Sequence, residues 1–427
     1  MQTQFSLAQL ANSDMRDIEK ILRSCVHCGL CLSVCPTYTL LADERDSPRG
    51  RIYLMKDMFE KESKPNTLVR EPLDRCLTCL ACTDVCPSAV DYQHLIDYGR
   101  YYIEKHHKRP LFERLLRRFL AFLIPRTSLF RIALNLGRIA KPFSIILPKN
   151  RTGKQLRALL TLAPKRNVKN NPLNKAGTFP VKNRQYRVAI LPGCAQRVLS
   201  PQINAATIRI LNRHGCEVIA PALGCCGSLG HHLGQNVSAY IKRVVDSIWT
   251  LMQQENLDAF VINASGCGTT VKDYAHILRD DPNYASKAKA VAAITQDISE
   301  FLAKIDLSTH KPKKKATVAY HGACSLNNGQ KIKHQPIALL RKAGFDVVTP
   351  KEEYLCCGSA GVYNILEPEI AGALLTRKAT NINALEADWI ATGNIGCITQ
   401  ISQEAKNPVV HIVELLDWAT GGPKPQQ

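Results

Sequence analysis

Short apolar runs alternate with stretches of helical periodicity through the second half of the chain, and this alternation sets the fold class. Val188-Ala189-Ile190-Leu191 is one such run and ends at Pro192-Gly193-Cys194. PQINAATIRILNRHG (201–215) then places its apolar residues at helical spacing until Gly215 stops it. EVIAP (217–221) predicts a second strand, SAYIKRVVDSIWTLMQQ (238–254) an amphipathic helix, and DAFVINA (258–264) a third strand running into Ser265-Gly266-Cys267. Strands alternating with helices imply a parallel sheet, and ligands of such sheets gather beyond the carboxyl ends of the strands. Nearer the start, DSPRGRIYLMKDMFEK (46–61) predicts a helix capped by Ser47 or Asp46, with Pro48 in its first turn. No run of eighteen apolar residues occurs, which excludes a membrane-spanning helix.

Two internal repeats organise this pattern. CVHCGLCLSVCP (25–36) and CLTCLACTDVCP (76–87) both read C-x2-C-x2-C-x3-C-P, at an offset of 51. A longer repeat pairs RVAILPGCAQ (187–196) with TVAYHGACSL (317–326), GCCGSLG (224–230) with LCCGSAG (355–361), and SGCGT (265–269) with IGCIT (395–399), at offsets of 130, 131 and 130. So steady a register marks a duplicated domain. The expected division is a helical domain at 1–105, a basic helical linker at 106–185, and two α/β copies at 186–312 and 313–427, with KPKKK (311–315) as a solvated joint between the copies.

The chemistry lies in the cysteines. Seventeen of them, clustered in short spaced groups, read as metal or cluster ligands in a reducing compartment rather than as disulfides. In a C-x2-C-x2-C-x3-C-P run three thiolates wrap one 4Fe-4S cluster, and the fourth ligates the other cluster of a pair. Cluster one is thereby assigned to Cys25, Cys28, Cys31 and Cys86, and cluster two to Cys76, Cys79, Cys82 and Cys35. Small Gly29 and Ala81 are expected to let the backbone approach the sulfides. C-x2-C pairs also suit zinc, but two matched four-cysteine runs each ending in Cys-Pro favour clusters. Arg49 and Arg51 read equally as a solvated first turn or as charges beside a cluster or partner. In the duplicated half, each cysteine group follows a strand. The topology therefore converges Cys194, Cys225, Cys226 and Cys267 in one copy and Cys324, Cys356, Cys357 and Cys397 in the other, four thiolates each, enough for a further iron-sulfur cluster or a zinc ion. Cys216 reads as a small core residue, and His231, His232 and His321 as hydrogen-bonded neighbours of the cysteine loops.

Charge adds one element. Of the formal net +20, most sits between Arg100 and Lys169, where eighteen Lys and Arg face two acids, Glu104 and Glu113. Within it RPLFERLLRRFLAFLIP (109–125) mixes arginine with a broad apolar face, suited to an anionic membrane, to a groove on another subunit, or to packing on its own core. The N-terminal MQTQFSLAQLANSDMRD lacks a basic start followed by a long apolar run, so the expected place is the cytoplasm, peripheral on the inner face of the membrane.

The duplicated half resembles the CCG, or cysteine-rich, domains of heterodisulfide reductase and of several respiratory dehydrogenase subunits. Joined to the helical two-cluster ferredoxin domain, it is similar to the iron-sulfur subunits of glycolate oxidase. The likeness rests on CVHCGLCLSVCPTY, SPRGRIYL, DRCLTC, GCAQ, NAAT, GCCG, ASGCG, LCCGSAG and NIGC in that order. It departs from the fullest CCG pattern in having Thr270 and Gln400 where each copy would carry a fifth cysteine, which argues against disulfide reductase chemistry. The resemblance implies a chain with no catalytic residue of its own, serving flavin-containing glycolate oxidase subunits that carry the FAD. Electrons from glycolate oxidation would pass toward a membrane quinone. Lactate, glycerol-3-phosphate dehydrogenase or heterodisulfide-reductase-like complexes are the alternatives with equivalent architecture. No G-x-G-x-x-G and no phosphate loop is present, in keeping with an electron carrier that binds no flavin itself. The rival from another class is a zinc protein binding nucleic acid; the expectation is no nucleic-acid partner.

Overall fold

The computed structural model describes residues 1–164, 168, 170–307 and 316–425, so that the KPKKK run lies outside the described residues. A helical N-terminal domain is followed by two duplicated α/β domains built on parallel sheets. In the first, helices Ser13–Ser24, Pro48–Glu60, Thr67–Asp74 and Tyr92–His106 close around Leu22, Met55, Leu73, Leu95 and Ile103. Each begins at a polar residue whose side chain accepts from first-turn amides: Asn12, Ser47, Asn66 and Asp91. For the 46–61 stretch the cap is Ser47, whose Oγ accepts from Gly50 N at 2.9 Å; Asp46 turns inward instead and is buried.

The first α/β copy is a five-stranded sheet of β1 (Gly177–Phe179), β2 (Tyr186–Ile190), β3 (Cys216–Ala220), β4 (Ala259–Ile262) and β5 (Thr295–Asp297), in the order β1-β3-β2-β4-β5. Only β1 runs antiparallel. It comes from the stretch expected to be a linker, which thus gives an edge strand to this sheet. The second copy has β6 (Thr317–Tyr320), β7 (Asp346–Val348), β8 (Trp389–Thr392) and β9 (Val409–His411) in the order β7-β6-β8-β9, all parallel. The four parallel strands of each copy share one topology. Val188, Ala189 and Ile190 on the central strand are buried on both faces, which is why this run shows no alternation.

The two copies share one core. Ile203, Ile210 and Leu211 of helix Gln202–Arg213 belong to the same buried cluster as Val413 and Leu416 of helix Ile412–Ala419. Across that seam Arg209 and Arg213 pair with the fully buried Asp417 at 2.5 and 3.1 Å. The N-terminal domain sits on both copies. Asn328 Nδ2 donates to Cys79 O at 2.9 Å, Tyr363 Oη to Arg75 O at 3.0 Å, and His231 pairs with Asp97 at 3.2 Å. The basic segment forms helices Leu111–Leu123, Thr127–Ala140 and Arg151–Thr161. Leu116 and Leu120 pack against Leu233, Val362 and Ile365, while Phe112, Leu115, Phe119 and Phe122 of the same helix stay exposed. Among the described residues no helix is long and apolar enough to cross a membrane.

His94 joins the N-terminal domain to the first copy, with Nδ1 2.5 Å from Asp91 and Nε2 2.9 Å from Asp273. Burial opposes its charge, but the hydrogen bonds to Asp273 and Asp91 outweigh it and hold the imidazole up at about 10. A raised histidine contributes stability that is complete below its unfolded value near 6.5 and fades as pH climbs toward 10. Domain docking, followed by limited proteolysis between residues 91 and 273, should therefore loosen from pH 7 to pH 10 in the native chain. His94→Gln should be looser at pH 7 and less sensitive to pH, and an identical pH response in that variant would count against this account.

Candidate metal centres

The two N-terminal cysteine runs turn by the same device. His27 and Thr78, at matched positions, have φ of 55° and 49°, and Gly29 and Leu80, also matched, have 83° and 57°. Left-handed residues at that spacing wind the chain tightly enough to aim successive thiols at one point. For the three with side chains this costs on the order of 1 kcal/mol each, a strain tolerated where the site requires it. What the runs share is therefore backbone conformation; small size at Gly29 and Ala81 is not common to both, since Leu80 occupies the position matching Gly29.

One cavity is lined by Cys25, Cys28, Cys31 and Cys86, a second by Cys35, Cys76 and Cys79, and Cys82 borders both. The fourth cysteine of each run thus reaches across to the other run's cavity. The first opens to solvent, with Cys28 exposed and Val26, Leu30 and Tyr53 exposed nearby; in the second all four thiols are buried. Arg51 settles the choice left open for it. It is fully buried, donates Nε to Pro72 O at 2.6 Å and Nη2 to Thr37 Oγ1 at 2.9 Å, pairs with Asp46 at 3.3 Å, and sets Nη1 3.8 Å from Cys35 Sγ. Burial works against its charge, but Cys76, Tyr92, Cys35 and Asp46 around it hold the guanidinium protonated. Arg49 lies at the mouth of the first cavity, bonded to Glu44 and to His27 O.

The other eight cysteines lie at the carboxyl ends of their strands and face one another across a shared cavity of about 300 Å³. Ser265 Oγ meets Ser325 Oγ at 2.7 Å, and Thr269 Oγ1 donates to Ser325 O at 2.8 Å, which ties the Cys267 and Cys324 loops together. Leu120, Leu134, Leu159 and Leu162 of the basic helices roof the cavity, so this segment is a wall of the site. Cys79 and Leu77 of the buried N-terminal group pack directly against Cys356 and Leu355. Within the first copy the thiols hydrogen-bond in a chain, Cys194 to Cys225 to Cys226 to Cys267. Bonds from Cys194 and Cys226 pull Cys225 below the ordinary thiol range, and the same bonds, with burial, push its neighbours above it.

These groups fit metal clusters by their donor chemistry. Burial pushes Cys79 and Cys82 well above a free thiol, and at Cys356 the lowering hydrogen bond of Cys324 is outweighed by that of Cys357 and by burial, so such groups ionise together only where a cation takes up the charge. Donors already point at the sulfurs: Thr78 N to Cys76 and Val90 N to Cys86 at 3.5 Å, Gly227 N to Cys225 at 3.3 Å, and Gly358 N to Cys356 at 3.4 Å. Cys216 opens β3 within the core and lines none of the three cavities that gather the other cysteines, consistent with its sequence reading. At the fifth positions Thr270 and Gln400 are buried, and Gln400 Oε1 accepts from Asn364 Nδ2 at 2.9 Å. His231 is held by Asp97, whereas His321 lies beside Cys357 and Cys397. Sequence reasoning gave no sign of Arg100, which donates to Thr78 Oγ1 and Cys76 O, nor of buried Lys378.

Comparison with known proteins agrees with this reading. A family model described as a 4Fe-4S dicluster domain matches residues 21–90, and one described as a cysteine-rich domain matches 188–272 and again 318–402. The glycolate oxidase iron-sulfur subunit of Escherichia coli (strain K12) is 38% identical, covering 98% of this chain and 99% of its own. A probable glycolate oxidase iron-sulfur subunit of Bacillus subtilis (strain 168) is 32% identical over 99% of both chains. An uncharacterized iron-sulfur protein of Methanococcus maripaludis is 28% identical over 96% of this chain and 75% of its own. Among solved structures, a hypothetical protein from Helicobacter pylori aligns with 96% of this chain and 73% of its own at a TM-score of 0.55 and 10% identity, a likeness of fold.

Arg51→Met should remove the positive charge nearest Cys35 and so favour the oxidised form. Redox titration should show one N-terminal centre shifted to more negative potential, with Arg51→Lys in between. Chemical denaturation should show a loss of stability smaller than the roughly 3–5 kcal/mol of a stranded buried charge, because Arg75 still pairs with Asp46 at 3.1 Å. An unshifted potential in Arg51→Met would contradict the assignment.

Proposed function

Because this chain belongs to the family of glycolate oxidase iron-sulfur subunits, we propose that it carries electrons from a flavin-bearing partner that oxidises glycolate to glyoxylate toward a membrane quinone. The observation that carries this reading is the contact series from the solvent-edge thiols around Cys28, through the buried group containing Cys79, to Cys356 in the shared cavity. Cys25, Cys28, Cys31 and Cys86 would hold one 4Fe-4S cluster, Cys76, Cys79, Cys82 and Cys35 the second, and the cysteines of the duplicated copies further centres. Bound clusters supply reversible one-electron chemistry. The chain supplies the thiolates, the amide donors on their sulfurs, and the buried charge of Arg51 that offsets theirs.

The partner's flavin fits the face around Cys28, where exposed Val26, Leu30 and Tyr53 form an apolar rim. A lipophilic acceptor fits the other end, where the cavity is walled by leucines from the basic helices. Those helices also turn apolar side chains outward, among them Leu136, Ile139, Phe143, Ile145 and Ile146, interleaved with Arg131, Arg138 and Lys141. Apolar side chains between cations suit an anionic membrane surface.

Two measurements test the proposal. Mixed anaerobically with its reduced flavin partner, the chain should lose visible cluster absorption, and Cys28→Ala should lack the iron and sulfide of one cluster; an unbleached native chain rules the relay out. With anionic vesicles the chain should sediment at low salt and be released at high salt, and Phe143→Ser with Ile145→Ser and Ile146→Ser should stay in solution. Absence of binding by the native chain at low salt excludes the membrane contact.

A further inference from the structure

The two cysteine-rich copies differ at one informative position. At the repeat offset of 130, Leu191 of the first copy corresponds to His321 of the second. Both are buried directly after the central strand, but only the second offers a donor atom. A ring nitrogen of His321 and the Sγ atoms of Cys357 and Cys397 all lie within 4.8 Å of one another. Among the described residues no other three His, Cys or acidic side chains are drawn so tightly together in this way, the eight N-terminal cysteines included.

A second difference points the same way. Lys378 is fully buried, donates Nζ to Glu352 O at 2.7 Å, and faces Cys357, Cys356 and Cys397. The buried positions Ile241, Val244, Val245 and Ile248 of helix Ser238–Glu255 recur at the offset of 130 as Ala371, Leu374, Leu375 and Lys378 of helix Pro368–Asn383, so the first copy has Ile248 at this place. The second copy therefore confronts its thiolates with an imidazole and an ammonium where the first has two hydrocarbon side chains.

We propose that His321 is a ligand to the metal of the second copy, giving that centre mixed imidazole and thiolate donors while the first copy has thiolates alone. Gln400 stands where a fifth cysteine would be and spends its amide on Asn364 and on Ala371 O, so His321 supplies a fifth donor from another element. Thr270 leaves the first copy with four donors. A neutral imidazole adds a donor to the four thiolates without adding negative charge, and the ammonium of Lys378 offsets theirs, so an iron-sulfur centre here would have the higher potential of the two copies. It also adjoins Cys79. That last step rests on the electron-carrying reading above; the ligation does not.

The test uses the full-length chain, purified anaerobically with and without ¹⁵N-histidine, beside His321→Leu, the residue of the other copy, and His321→Cys. Pulsed paramagnetic resonance of the reduced protein should show a histidine nitrogen coupling that changes with the isotope and is absent in His321→Leu. Should His321→Leu fold poorly, His321→Cys should retain the metal without the coupling. If the second copy holds zinc, absorption at the zinc edge should show one nitrogen at about 2.0–2.1 Å that His321→Leu loses, which keeps the ligand and removes this copy from electron transfer. Sulfur-only coordination in the native chain, or a coupling that survives in His321→Leu, overturns the proposal. Failure of the electron-carrying reading would be seen separately, as clusters in the native chain that the reduced partner does not bleach.

Discussion

Sulfur atoms gathered into small groups away from water repel one another as soon as they ionise, and much of what is distinctive in this molecule answers that repulsion. Backbone amides aimed at Cys76, Cys86, Cys225 and Cys356 supply partial positive charge without adding side chains. Arg51 does so with a full charge, fixed by Thr37, Asp46 and Pro72 so that it cannot swing away from Cys35. Lys378, held by the carbonyl of Glu352, brings a second buried cation near Cys356, Cys357 and Cys397. Buried cations of this kind are costly in an apolar core, and they persist where a lasting negative charge lies opposite.

Packing turns four sulfur sites into one connected object. The N-terminal domain is clamped to both copies by bonds that involve the cysteine loops themselves, as in Asn328 to the carbonyl of Cys79. Such contacts fix the relative position of sites distant in sequence more firmly than linkers could. The basic helices join this arrangement with their leucine side, leaving their other face to the surroundings. Their two apolar faces have different duties: one closes a cavity and the other stays available.

Much of this was legible in the sequence. The spacing of the N-terminal runs predicted that Cys35 and Cys86 would cross between sites, and the strand-then-cysteine order predicted convergence at the sheet ends. The Ser47 cap with Pro48 behind it was readable for the same reason: capping and turn chemistry are local. What stayed hidden is non-local. β1 and β5 are three residues each, too short for periodicity to register, and they exist because a sheet edge was there to receive them. Arg51 could not be told from Arg49 without knowing which side of the helix faced Cys35. That all eight cysteines of the copies open onto a single space depends on how two domains meet, which no motif encodes. His321, next to a strand end, looked like an ordinary neighbour because its partners come from loops 36 and 76 residues further on.

The hydrophobic seam between helices Gln202–Arg213 and Ile412–Ala419 has a consequence for ancestry. Halves that bury their apolar faces against each other are inseparable once joined, since either alone would present that surface to water. After the doubling event, sequence drift could alter what each half binds while neither could be discarded. Divergence between twin sites, a leucine on one side and a histidine on the other, is the kind of change such an obligate pairing leaves open.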